Sequence, residues 1–528
     1  MNRLALAAAL LAPAALAQDP PIAQRAQSAA LFAGRVVRIA LELPDESRTK
    51  LRDAPRSYVA ATARIDGEEW KSVGVKLKGA AGSFREFDDR PGLTVDLDRF
   101  AQDRSFRGLT KFHLNNAVQD PTWLHEWLGA AIFTAAGYQA PRVAHAVLEL
   151  DGRELGLYVL REAFDERFLL RCFGDARGNL YDGGFCQDVD ADLEKDSGAG
   201  PDDHADLHAL VAACGTVADD VGRAHLASLV DVDALIDFVA LEAMVGHWDG
   251  YALNRNNYRL FIDARDGRAR FLPHGMDQLF GEPEASVLRH PIALVASAVL
   301  AQPEWRKRYR QRLRAMVPLF APERWRSRIA AKGDRLEPAV RAMGDDARNS
   351  FREAIRDLQE RVTARHADLV AQSKAPEPKP LEFRGDRAIV VKGWHPAGES
   401  EGIALRKRSV DGVPSYELAC VADGEQSGAW RTTVLLARGR YRFTASVRCA
   451  DLRSTSRDDQ GAESGGAGLA VDDSRSERER GDRRWTALAC EFEVAEFQRE
   501  VELAVRLRAD HGSAWFRLDS LQLARIAD

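Results

Sequence analysis

The stretch SKAPEPKPLEFRGD, residues 373–386, separates two parts of the chain that follow different hydrophobic periods. Its three prolines lack backbone donors and fix φ, so neither a helix nor a central strand can run through it. Just upstream, FREAIRDLQERVTARHADLVAQ repeats apolar residues at the spacing of one helix face. Downstream, RYRFTASVR aligns Tyr441, Phe443, Ala445 and Val447, and VELAVRLR aligns Val501, Leu503, Val505 and Leu507. That two-residue period belongs to half-buried strands. A chain of 528 residues also exceeds what one hydrophobic core serves. The expected organisation is therefore an α+β domain over 18–372, an extended linker over 373–386, and an all-β jelly-roll sandwich over 387–528.

Within the first domain the pattern is β-rich to about residue 160 and mostly helical after it. Alternation predicts strands over 35–43, 73–78, 93–97 and 145–149. Asp120-Pro121 predicts a helix opening there, with Asp120 as its cap, and stopping at Gly137. Helical patterning returns over 204–246 and 285–372. Between these blocks, NYRLFIDARDGRARFLPHG predicts a hairpin turning at Ala264-Arg265-Asp266-Gly267.

Residues 1–17 carry Arg3, an apolar run and a small-x-small end at Ala15-Leu16-Ala17, the pattern of an export signal. The expected location is periplasm, cell surface or medium. No later stretch is apolar for long enough to span a membrane. A net charge of -6 gives no support to a nucleic-acid partner. The six cysteines suit buried thiols with one or two disulfides, and sequence does not choose among the pairings.

In HWDGYALN, Asp249 and Asn254 stand at D-x4-N. A protein-kinase catalytic loop uses this spacing between the carboxylate that receives the acceptor proton and the carboxamide that holds a metal. A second carboxylate should follow a hairpin, and HGMDQLFG supplies Asp277 with Phe280-Gly281 close behind. Taken alone, D-x4-N also fits an Asx-turn closing a helix. The order of helix, D-x4-N, hairpin and Asp favours the functional reading. His247 and His274 match no metal-ligand spacing and read as packed residues that orient their loops, while Trp123, Trp127 and Trp248 read as core.

GHWDGYALNRNNYRLFIDARDGRARFLPHGMDQLFG resembles the signature of the CotH kinase-like family. VGVKLKGAAGSF, FRGLTKFHLNNAVQDPTWLHEWLGAAIFTAAGYQAPR, GLYVLREAFDERFL and GNLYDGG extend the resemblance over roughly residues 35–370. It implies an atypical two-lobe protein-kinase fold that binds ATP with Mg2+ or Mn2+ and phosphorylates hydroxyl side chains of a surface or coat protein. By position, it implies Asp249 as the catalytic carboxylate, with Asp277, Asn254 and Asn257 as metal ligands. Lys78, Gly79, Gly82 and Ser83 would form the phosphate-covering loop, for which a plain hairpin turn is the other reading. Tyr158 to Glu162 would form the adenine hinge, and Glu126 would partner a phosphate-binding lysine. Arg90 and Thr94 stand where relatives carry lysines, which leaves Lys76, Lys78 and Lys111 as substitutes.

The C-terminal part resembles carbohydrate-binding jelly rolls through GRYRFTASVRCADLR, RRWTALACEFEV and HGSAWFRLDSLQLARI. This implies a polysaccharide partner, with Trp430, Trp485 and Trp515 as stacking candidates. A second reading of the whole chain follows: an extracellular adhesion or glycan-binding protein whose kinase scaffold no longer catalyses.

Overall fold

The computed structural model describes residues 31–198, 202–385, 387–455, 465–472 and 474–526. The expected export signal lies outside them. The first seven strands are β1 (Val36–Glu42), β2 (Val59–Ile65), β3 (Glu68–Lys78), β4 (Gly92–Asp96), β5 (Lys111–Asn115), β6 (Val143–Leu150) and β7 (Arg153–Glu162); burial alternates along β1, β2 and β5, while β4 and the last six residues of β7 are buried on both faces. These seven strands close into a barrel in the order β1-β2-β3-β4-β5-β7-β6. The closing contact is parallel, from Val36 opposite His145 to Leu41 opposite Leu150, and it leaves no free edge among them. Val37, Ile39, Val75, Leu93, Phe112, Leu148 and Leu160 fill the interior.

The helix predicted from Asp120 begins instead at His125 and runs His125–Ala135. Trp123 adopts φ +53, which interrupts helical geometry. Asp120 nonetheless reaches the helix start, accepting from the His125 amide at 2.9 Å. Gly129 lets this helix approach the next loop closely, because a Cβ there would stand 2.6 Å from Leu279 Cδ1. Glu126 and the Asp277 loop are thereby drawn together.

After β7 the chain turns helical around a second sheet of order β11-β10-β8-β9, built from β8 (Gly178–Asp182), β9 (Lys195–Ser197), β10 (Tyr258–Asp263) and β11 (Arg268–Pro273). The helix Val232–Val245 is capped by Asp231, whose side chain accepts from Ala234 N, and ends at Gly246 with φ +69. Ten of its 14 residues are buried, the pattern of a central helix. It delivers the chain directly to Asp249.

The described chain divides into two compact units. One holds the residues up to Ala285 together with Tyr309–Val370; the other holds Ser286–Arg308 and the chain from Ala371 onward. Ser286–Arg308, expected in the first domain, joins the second through local bonds. The Val287 amide donates to Gln372 Oε1 at 2.8 Å, and Arg306 pairs with Glu377 at 2.8 Å. Sequence periodicity reads such a segment as helical but carries no information about which unit it packs in.

The rest of the second unit is β-rich. Its hydrogen bonds run through one continuous ten-stranded sheet instead of two separate ones. Gln426–Arg453 and Gly481–Ala509 form its longest pairing, and Tyr441, Phe443, Val447, Leu503 and Val505 lie in one core. All six cysteines are free thiols, so the expected disulfides are absent; Cys214, Cys449 and Cys490 are buried as apolar residues. Among the described residues no helix is long and apolar enough to cross a membrane.

Candidate active site

A cleft of about 660 Å³ opens in the first unit. The end of β3 and the turn after it contribute Lys78, Gly79 and Ser83 to its lining; the helix His125–Ala135 contributes Glu126. Asp249, Asn254, Asn256, Asn257 and Asp277 complete one wall. The residues singled out by spacing thus share one hollow. Gly82 does not line it and stands against Gln119, while Lys111 and Glu162 lie outside it.

Glu162 is 3% exposed and held by Arg142 at 2.8 Å and Arg171 at 2.6 Å. Burial pushes its carboxyl up, but the two guanidinium groups outweigh this and hold it below the usual range. Its side chain is therefore committed to a structural pair instead of the cleft, although Val159 of the same strand lines the cleft. Lys111 stands opposite Asp96 on the neighbouring strand. Lys76 lies over the Tyr58 ring. Arg90 bonds the Leu157 carbonyl and stacks near Trp123 and Tyr158, so it does not stand in for a cleft lysine. Thr94 is buried against His113 Nδ1 at 3.0 Å.

Lys78 and Arg259 are the lysine and arginine among the described residues that line the cleft, and Arg259 is paired with Asp182 and Asp196. The Lys78 ammonium donates to Asn115 Oδ1, and Asn115 Nδ2 donates to Glu126 Oε2 at 2.7 Å. One carboxamide thus bridges the lysine and the glutamate. Burial, followed by repulsion from Arg161, pushes the Lys78 ammonium down to about 7. Asn115 escapes a spacing argument because an asparagine at a strand end reads as a turn residue.

Opposite, the Asp249 carboxylate is surrounded by amides. Asn254 and Asn256 donate to it, the latter at 3.1 Å to each oxygen, and Asn257 donates at 2.8 Å. Asn256 was not among the sequence candidates. Its 6% exposure shows that the third asparagine of the stretch faces inward with the other two.

Two histidines join the loops. His247 Nε2 donates to the His274 carbonyl at 3.0 Å, and burial pushes its imidazole down to about 4 despite that bond. His125 Nδ1 donates to the Asp277 carbonyl at 2.9 Å. The Asp277 loop is thereby held from the Asp249 side and from the Glu126 helix. Among the described residues Asp277 makes no ion pair, and burial and then Glu126 push its carboxyl up to about 7, with Lys78 opposing them weakly. A carboxyl in that state lacks a counter-charge, and a hard cation would supply it. Among the described residues no cluster of three or more His, Cys, Asp or Glu could hold a metal. Asp277 and the asparagines lining the cleft carry hard oxygen donors, a chemistry suited to Mg2+ or Mn2+ and poorly suited to zinc.

The tryptophans reverse two expectations. Trp248, read as core, is 54% exposed at the cleft. Trp430, read as a stacking platform, is 4% exposed and stacks on Tyr416 in the core of the second unit, so its ring offers no ligand face. Trp485 and Trp515 are half-buried, and Trp515 Nε1 donates to Glu417 at 3.0 Å. Trp123 is buried as expected, while Trp127 is half-buried beneath Arg328.

Inner spore coat protein H of Bacillus subtilis (strain 168) is 25% identical over 269 residues, covering 46% of this chain and 72% of that protein. Among solved structures, the Clostridium thermocellum xylanase 10B CBM22-1-GH10 modules complexed with xylohexaose align over 25% of this chain and 26% of that one, at 10% identity and TM-score 0.19. TmCBM61 in complex with beta-1,4-galactotriose aligns over 25% of this chain and 88% of that one, at 14% identity and TM-score 0.18. Similarity that low carries no argument. The family model described as CotH kinase protein matches residues 75–368, more than half of the chain and every residue of the cleft, and the chain belongs to that family.

Proposed function

We propose that the chain is an exported phosphotransferase that moves the γ-phosphoryl group of ATP to a hydroxyl side chain of a protein. The supporting observation is the single cleft that faces Lys78 and Glu126 toward Asp249 and Asp277. In this reading the barrel and the helical part act as the two lobes of a kinase-like fold.

When bound, Mg2+ or Mn2+ neutralises phosphate oxygens, and Asp277 with Asn254 or Asn257 would hold it. Lys78, with its charge steadied by Asn115 and Glu126, would grip the polyphosphate. The turn from Gly79 to Ser83 would cover it, with Gly79 at φ +112 giving the backbone room to approach. Asp249 would accept the acceptor O–H proton as the new O–P bond forms and the bond to ADP breaks. Its asparagine neighbours keep the carboxylate oriented until then. For the second unit we propose a jelly-roll-like glycan-binding role limited to Trp485 and Trp515.

The test is transfer of label from radiolabelled ATP with Mg2+ or Mn2+, comparing wild type with Asp249→Ala and Asp277→Ala. Label in a protein acceptor with wild type alone is the expected result. No label in any fraction, together with no nucleotide-dependent rise in melting temperature, would overturn the reading.

A further inference from the structure

We propose that Glu242 is the positioning residue of the Asp249 loop, a buried carboxylate on the preceding helix that sets where the Asp249 carboxylate stands. The inference rests on the phosphotransferase reading and deepens it.

Glu242 is 2% exposed, near the end of the helix Val232–Val245. Its Oε1 accepts from the Tyr251 amide at 3.0 Å and its Oε2 from the Ala252 amide at 3.0 Å. These amides begin the turn Tyr251–Asn254, where backbone donors have no partner within the turn. Asp249 lies just before them, and Asn254, Asn256 and Asn257 lie just after. A shift at residues 251–252 would therefore move the Asp249 carboxylate and its amide donors together.

Two further observations separate this from ordinary capping. Among the described residues no lysine, arginine or histidine pairs with Glu242. Burial pushes its carboxyl up to about 8, opposed only by the two amides, and an apolar residue here would favour stability. Gly250 adds the second. Its φ of -86° and ψ of -176° suit any residue, yet a Cβ there would stand 2.4 Å from Glu242 Oε1. It would also stand 2.9 Å from His247 Cδ2, so the glycine makes space for the carboxylate first and for that ring second, and is not needed for an unusual backbone conformation. The Tyr251 side chain is pinned separately by ring contact with Phe271 at 4.3 Å, so Glu242 acts on the backbone of the turn.

The experiment compares Glu242→Gln, Glu242→Ala, Gly250→Ala and the double variant Glu242→Ala/Gly250→Ala in the full chain. Amide hydrogen exchange at Tyr251 and Ala252 is read alongside kcat and the nucleotide KM. Glu242→Gln and Gly250→Ala should each speed exchange at both amides and lower kcat by about 10²-fold, with nucleotide KM changed less than about twofold. Gly250→Ala should cost less in the Glu242→Ala background than in wild type, because the nearer clash is gone and only that with the His247 ring remains. If Glu242→Gln does not fold, Gly250→Ala carries the comparison, since it keeps the carboxylate and an allowed backbone. Unchanged exchange at both amides, a kcat loss matched by loss of folded protein, or additive effects in the double variant would each overturn the proposal. A wild type that transfers no phosphate would overturn the phosphotransferase reading, and the exchange comparison would still decide whether Glu242 holds the loop.

Discussion

The barrel end around Glu162 and the cleft around Asp277 both bury a carboxylate, with opposite electrostatics. Glu162 is satisfied by two arginines that hold it ionised. Asp277 is buried facing another acid, Glu126, and makes no ion pair among the described residues, so its carboxyl rises to about 7. The first arrangement is complete and serves the fold; the second is incomplete and leaves room for a ligand's charge. The same contrast separates Arg90, spent on aromatic rings and a carbonyl, from Lys78, held at the cleft by a single asparagine.

Mutations should sharpen that contrast. Asp249→Ala should have the largest effect, lowering phosphoryl transfer by about 10³-fold or more while leaving the melting temperature near wild type, since the loss falls on proton transfer and its geometry. Glu162→Ala should do the reverse. It strands Arg142 and Arg171, costs about 3–5 kcal/mol in denaturant unfolding, and reduces activity only through the folded fraction. An activity loss in the folded Glu162→Ala protein would break the distinction.

Lys78→Met should weaken nucleotide binding by about tenfold, measured by calorimetry. Because the unliganded ammonium titrates at about 7, the charged form that attracts phosphate is lost as pH rises above that value. Wild-type affinity should fall by about tenfold in all between about pH 7 and about pH 9, approaching that of Lys78→Met, and the Lys78→Met profile should lack that fall. The smallest effect is expected at Trp248→Ala. With 54% of the residue exposed, unfolding free energy should change by about 0.5 kcal/mol or less.

Local pattern made much of this legible. The hairpin β10–β11 turns at the predicted residues, with Gly267 at φ +70. Asp249, Asn254 and Asp277 were readable because their chemistry depends on order along the chain as well as on position in space. Asn115 and Glu242 were not, because each acts on a residue brought near by folding, and nothing adjacent in sequence distinguishes them. The start of the Glu126 helix was misplaced for a related reason. Asp120-Pro121 is a sound start signal, but the packing of Trp123 imposes a left-handed turn first. Trp248 and Trp430 show the same limit, since an indole is equally suited to a core and to a surface until its neighbours are known.

By itself, the amino-acid sequence determined the boundary near residue 373, the change from mixed to β-rich structure, and the order of oxygen-bearing residues after the central helix. Each of these depends on the spacing of residues along one segment. Only the tertiary structure decided that the barrel closes, that Ser286–Arg308 belongs to the second unit, and that Lys78 instead of Lys111 meets Glu126. Burial and partnership are properties of the space between segments, and spacing within one segment does not specify that space.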